Sequence, residues 1–305
     1  MNGSEFFGPW EGEPVSSWQS AVQEIESVLT RTGQRRSVGW RGQVNAGWSL
    51  HSGLYRRLLT ARAAGQAAPM EDDLLRAEEK IAGYVRTNWR FDQMPYLELL
   101  ANLQHFRGPT RLLDVSLSPL VALWFAVERQ HDDALDKVDG RIFAFDVTSR
   151  RVQLTENWSG YDIPWRESGS KTPWCRELPL LWRPPSYNER IPAQQSGFLL
   201  AGVPKVYGGG NAQYRKAPGT DTDSWKIDEV RRATSVPTRM VDRSGRAVSR
   251  STEPTLTIRI AAEAKDEIRH RLERDYGYNP ATMYPDLFGM AAEVRQAVDN
   301  AELLS

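Results

Sequence analysis

The sequence predicts a single α+β domain: a bent, mixed β-sheet with flanking helices and long loops rich in Trp and Pro. Three observations lead there. Segments of helical and of strand periodicity are interspersed without the regular strand-helix alternation of a doubly wound sheet. The run from Arg141 to Val147 is almost continuously apolar, as in a strand covered on both faces. Between residues 157 and 187, Trp, Pro and Gly crowd together with neither spacing. The 305 residues are 40% hydrophobic and 26% charged, and 39 basic side chains balance 39 acidic ones. That composition is globular and excludes a strongly basic nucleic-acid coat.

The elements follow in order. Residues 1–15, acidic and glycine-bearing, read as an N-terminal tail ahead of a domain spanning 16–305. A helix is expected over 17–31: Ser16 or Ser17 can cap it, Trp18, Val22, Ile25, Val28 and Leu29 share a face, and Gly33 stops it. Residues 37–43 form a short strand ending at Arg41-Gly42-Gln43, and 48–59 are a loop entering a basic turn or short helix at Arg56 and Arg57. Asp72 and Asp73 suit the positive end of a helix that carries Leu74, Leu75, Ile81 and Val85 to Trp89. A further helix covers 96–106 until Gly108-Pro109 breaks it, and 111–115 suit a short buried strand. Ser118 then caps a helix beginning at Pro119 that buries Leu120, Leu123, Trp124 and Val127.

The strand at 141–147 belongs in the middle of the sheet. Trp158, Trp165, Trp174 and Trp182 are expected to pack a long loop rather than form a base-stacking platform, because no basic stripe accompanies them. Residues 196–201 form another strand, and 205–252, polar and poor in aliphatics, form an excursion. Leu256, Ile258 and Ile260 alternate in the last strand. A helix over 261–275 stops at Gly277, and 286–303 make the terminal helix.

Several chemistries are excluded. No apolar run reaches the roughly 18 residues of a membrane span, and the N-terminus has no apolar signal core, so a cytoplasmic protein without membrane contact is expected. Cys175 stands alone, and His51, His105, His131 and His270 are scattered, so neither an intrachain disulfide nor a metal site is expected. Phosphate-loop, dinucleotide-fingerprint, hydrolase-elbow and kinase motifs are absent, and Gly208-Gly209-Gly210 lacks the following Lys.

Three segments crowd polar residues at strand ends: Trp40 to Gln43, Gln104 to Ser116, and Arg190 to Phe198. These resemble the FRG domain family. Its aromatic-Arg-Gly signature is matched by Trp40-Arg41-Gly42. Its Gln-His-aromatic-Gly-x-Pro-Thr-Arg-Leu-Leu-Asp block and the Ala-rich aromatic helix after it are matched by residues 104–126, with Arg107 either inserted before Gly108-Pro109 or replacing a spacer there. Its Gln-Gln-Gly-x-Phe pattern is matched by Gln194-Gln195-Ser196-Gly197-Phe198, again with one extra residue, and its closing block by Tyr284 to Gly289.

A second resemblance, to ADP-ribosyltransferases of the Arg-Ser-Glu type, implies a related fold and a mechanism. Arg41 would hold the NAD pyrophosphate and Ser116 would orient the nicotinamide ribose. No Glu-x-Glu or Gln-x-Glu follows, which leaves Glu189, Gln194 or Gln195 at the reacting end, and a glutamine cannot supply a carboxylate's charge. Gln43, His105, Thr110, Arg111 and Asp114 complete the expected binding set. Each has a plainer reading: Arg41 pinned to Asp114, His105 at a helix end, Arg111 and Asp114 as a latch, Thr110 and Ser116 as turn or capping residues, and the glutamines bonded to loop backbone. Two functions therefore stand. One is an NAD-binding ADP-ribosyltransferase or NAD-cleaving effector, of the toxin or phage-defence kind, acting on a protein or nucleic-acid target. The other is a non-enzymatic sensor of nucleotide, nucleic acid or foreign protein. Both require Trp40-Arg41, residues 110–116 and Gln194-Gln195 to face one pocket.

Overall fold

The computed structural model describes residues 2–32, 37–130, 132–148, 151–152, 160–166, 179–186, 188–206, 214–220, 223–241 and 254–299. The expectations for Gly33, His131, Trp158, Trp174, Cys175 and the glycines 208–210 lie outside them. The helices are α1 (Gly3–Phe7), α2 (Trp18–Thr32), α3 (Gly53–Thr60), α4 (Glu71–Trp89), α5 (Tyr96–His105), α6 (Pro119–Val127), α7 (Arg190–Ala193), α8 (Ile227–Ala233), α9 (Lys265–Tyr276), α10 (Pro280–Met283) and α11 (Leu287–Asp299). The strands are β1 (Val38–Gln43), β2 (Leu113–Ser116), β3 (Gly140–Asp146), β4 (Arg151–Val152), β5 (Leu180–Trp182), β6 (Ser196–Leu200) and β7 (Thr255–Ile260).

The local signals act as expected. Ser17 Oγ accepts from the Ser20 N–H ahead of α2 (3.2 Å), Ser118 Oγ accepts from Val121 N above Pro119, and Gly277 ends α9 in the left-handed conformation (φ 69°). The seven strands form one sheet in the order β4-β5-β6-β2-β1-β3-β7, antiparallel except for β4 against β5. Helices α2, α6 and α9 cover one face over Ile25, Trp40, Trp124, Ile258 and Ile268. The opposite face is covered by Phe6 and Phe7 of α1 and by Val230 and Ala233 of α8. Helices α4 and α5 close the end of the sheet built from β5 and β6.

Four segments differ from expectation in instructive ways. Residues 3–7 insert two buried phenylalanines, Glu11 pairs with buried Arg141, and Val15 bridges to Ile260, so the segment read as a tail packs on the sheet. Residues 223–241, inside the polar excursion, bury Val230, Ala233 and Val236. The loop expected over 157–187 contains β5, a strand too short to display a period, which exists because β6 pairs with Leu180, Leu181 and Trp182. Strand β7 is buried at every position except Arg259 rather than alternating: Leu256, Ile258 and Ile260 join the core under the helices, and its edge is paired at both ends, by Met240 at Thr255 and by Val15 at Ile260.

One buried ionic cluster ties α4 to the sheet. Arg111 reaches both oxygens of Glu78, and its Nη1 donates to Glu71 Oε1 (2.9 Å) and to Ala201 O (3.3 Å). Its guanidinium lies over the Trp165 ring at 4.5 Å, and Trp165 Nε1 donates to Glu78 Oε2 (2.8 Å). Burial works against the charge on Arg111, and Glu78 with Glu71 more than reverse this, leaving its pKa above the ordinary value. Removing one member strands the others in a dry interior. Glu78→Ala should therefore destabilise the protein by about 3–5 kcal/mol, read as a lower midpoint in urea unfolding, and should do so more than Glu71→Ala, whose side chain is partly exposed.

Candidate functional site

Strand β1 carries the Arg-Gly pair into the centre of the molecule. Gly42 is required there because a Cβ would collide with Ala122 O and Ala126 N of α6, which crosses the strand at that point. The glycine is thus demanded by the helix backbone rather than by the approach of a ligand. Strands β1 and β2 pair through Trp40 and Ser116. Beside that pair Arg41 Nη1 donates to the Asp114 carbonyl (2.7 Å), so the guanidinium links the two strands through the backbone. The Asp114 carboxylate is 4.0 Å away and 59% exposed. Arg41 Nε is buried without a hydrogen-bond partner. Burial, and after it the neighbouring Arg56, disfavours the Arg41 charge, which Asp114 partly restores.

This point is the floor of a cleft of about 420 Å³. Trp40, Arg41, His105, Asp114, Ser116 and Gln194 all line it, so the structure brings six of the expected positions together. Their partners sort them. Ser116 Oγ donates to Gln194 O (2.7 Å) and accepts from Ser118 N (3.0 Å), while Gln194 Nε2 donates to Met283 O (2.8 Å). Asp114 Oδ2 accepts from Gln104 Nε2 (2.8 Å), and Gln104 Oε1 accepts from the buried Thr110 hydroxyl (2.5 Å). Thr110 therefore sits behind the cleft and orients Asp114 through Gln104.

The remaining expected residues lie elsewhere. Arg111 is consumed by Glu78 and Glu71 in the interior. Gln43 is buried, donates to Ser49 O (3.3 Å), and lines an adjoining chamber of about 680 Å³ that shares Arg41, Gly42, His51, Arg56 and Phe125 with the cleft. Glu189 and Gln195 are exposed and line neither space. Arg107 and Gln195, at the two places where the sequence departs from the family pattern, adopt left-handed backbone (φ 60° and 46°). Arg107 follows the end of α5, where Gly108 N turns back to Leu103 O (2.7 Å), so this cap accommodates the departure and leaves Arg107 at the cleft.

Sequence reasoning missed three contributors. Arg56 lines both spaces from the exposed side of α3, and Arg190 lines the cleft. Tyr284 lines it too, held by Trp124 (ring centroids 5.7 Å) and by Arg190 over its face (5.1 Å). The signal for Tyr284 was present in the closing block. Gly289 is glycine because a Cβ would strike the Tyr284 backbone, and Asp286 accepts from Gly289 N (2.9 Å) while pairing with Arg190 (2.8 Å). Burial raises the Asp286 pKa, but Arg190, Gly289 and His105 outweigh it and hold the carboxyl below its usual range. His105 stands 3.7 Å from Asp286, yet burial, then Arg190, keeps its pKa below the ordinary value. Among the described residues no cluster of three metal-ligating side chains occurs, and no helix is long and apolar enough to cross a membrane.

The FRG domain family model matches residues 36–134, a stretch that contains β1, Arg41, the 104–116 block and α6. No curated protein and no solved structure matches the chain.

His51, at the junction of the two spaces, provides a test of this electrostatic picture. Its Nε2 faces Arg231 O (3.1 Å), so the neutral ring carries its proton there. Burial, against the pull of that carbonyl and with Arg56 adding to it, lowers the pKa to about 4. The unfolded chain then binds the proton first. Stability should be full above pH ~6.5 and fall by about 3 kcal/mol as the pH drops toward 4. Unfolding free energies measured across that range should lose this slope in His51→Phe.

Proposed function

We propose that this chain is a nucleotide-binding FRG-domain protein whose ligand is NAD, held in the cleft between β1, β2 and α7. The observation that carries the reading is the charge balance. Arg41, Arg56, Arg107 and Arg190 line the cleft, whereas Asp114 is the one carboxylate lining it among the described residues. Arg190 is offset by Asp286, but Arg56 and Arg107 have no ion-pair partner among the described residues, and Arg41 keeps a buried N–H unused. A diphosphate supplies two negative charges and the acceptor geometry that a guanidinium fork recognises.

The residue roles shift from those expected. Arg41 and Arg56 take the pyrophosphate, and Ser116, already bonded to Gln194 O, shapes the wall near the ribose. Glu189 is outside the cleft and the Gln194 amide is bonded to Met283 O, so the carboxylate duty passes to Asp114, whose charge would stabilise an oxocarbenium-like sugar. Cleaving NAD, or transferring its ADP-ribose to a macromolecule, is the activity through which a toxin or phage-defence effector would work. One observation favours the alternative of a sensor without catalysis: the Ser116 hydroxyl and the Gln194 amide are both spent on internal bonds.

Calorimetric titration with NAD, followed by assay of the same mixtures for released nicotinamide, separates these readings. Arg41→Ala should weaken NAD binding by about 10- to 100-fold. Asp114→Asn should retain binding and lose nicotinamide release by about 100-fold. Absence of NAD binding by the wild type would defeat the nucleotide reading; binding without release would leave the sensor.

A further inference from the structure

The geometry points to Glu128 as the general base of this cleft, taking the proton from a water or acceptor hydroxyl held in the adjoining chamber, with Tyr284 as its positioning residue. The inference rests on the NAD reading above. Glu128 occupies the C-cap of α6, the negative end of the helix dipole, where a carboxylate is least favoured. It is half-buried and lines the chamber of about 680 Å³, while Tyr284 lines the cleft. The Tyr284 hydroxyl donates to Glu128 Oε1 (2.8 Å), so this hydrogen bond joins the two spaces beside the arginine pair Arg41 and Arg56 that both share. A local rule broken at a cavity wall, and supported by a side chain held by Trp124, Phe125 and Arg190, is the pattern expected of a functional group.

The surroundings supply the proton affinity. Burial raises the Glu128 pKa to about 7, opposed by the hydrogen bonds from Tyr284 and Gln130 and by the charge of Arg107. The other titratable groups lining the chamber are Arg41, Arg56 and Arg232, all cationic, and His51, which is neutral at pH 7. A carboxyl in that range both accepts a proton and releases it near neutrality. In the step proposed, the acceptor O–H gives its proton to Glu128 as its oxygen bonds to the ribose anomeric carbon of NAD. The bond from that carbon to nicotinamide breaks, its electron pair leaves on the ring nitrogen, and neutral nicotinamide departs. Asp114 stabilises the charge on the sugar and Glu128 moves the proton, so the two carboxylates have separate tasks.

The test measures NAD affinity by calorimetry and nicotinamide release between pH 5.5 and 9 for wild type, Glu128→Gln and Tyr284→Phe, each checked by thermal unfolding. The wild-type rate should rise with pH through a midpoint near 7. Glu128→Gln, which can still accept from Tyr284, should bind NAD normally, release nicotinamide about 100-fold more slowly and lose the pH dependence. Tyr284→Phe removes a bond that favours the carboxylate, so its midpoint should move to higher pH. A Glu128→Gln protein with the wild-type rate and profile overturns this assignment while sparing the NAD reading. Binding without release by the wild type overturns it in favour of the sensor, and absence of binding overturns both.

Discussion

Helix α6 lies so close to strand β1 that Gly42 has no room for a single carbon atom, and the rest of the site is arranged around that crossing. The helix can approach only because one residue lacks a side chain, and the residue before it, Arg41, is thereby held at the junction of β1 and β2. The same helix carries Trp124 to the Tyr284 ring and ends at Glu128, which the Tyr284 hydroxyl meets. The aromatic-Arg-Gly signature and the Ala-rich helix are therefore two sides of one steric contact. Ala122 and Ala126 present their backbone atoms to the strand at that crossing.

Charge is distributed by the same logic. Arg111 and Arg141 are buried with carboxylates within reach, and these pairs connect α4 and the N-terminal segment to the sheet. The cleft arginines are different: Arg56 and Arg107 stand without ion-pair partners among the described residues, and Arg41 is bonded through one nitrogen while another is buried unused. Two arginines of one short segment, Arg107 and Arg111, thus have opposite surroundings. Sequence spacing cannot separate them, because what distinguishes them is whether α4 presents Glu71 and Glu78 to the side chain.

Most helices and strands were legible in the residues because their signals are local: caps at Ser17 and Ser118, a stop at Gly277, and the apolar run of β3. The elements that were not legible depend on distant partners. Strand β5 has three residues and owes its existence to β6, α8 lies in a polar stretch and docks through Val230 and Ala233, and Phe6 and Phe7 are a two-residue signal at the start of the chain.

For the site, the sequence by itself determined that Trp40-Arg41, residues 104–116 and Gln194 lie in dense polar blocks at strand ends. It also determined that the charge of a Glu-x-Glu motif was absent. Only the tertiary structure decided which members of those blocks face the cleft. Arg41, His105, Asp114, Ser116 and Gln194 do, whereas Gln43, Thr110, Arg111, Glu189 and Gln195 do not. It alone placed Asp114 in the wall of the cleft and Glu128 in that of the adjoining chamber. The reason is physical: the side a side chain takes follows from strand register and from the helix packed on it, and both are set by contacts between residues far apart in the chain.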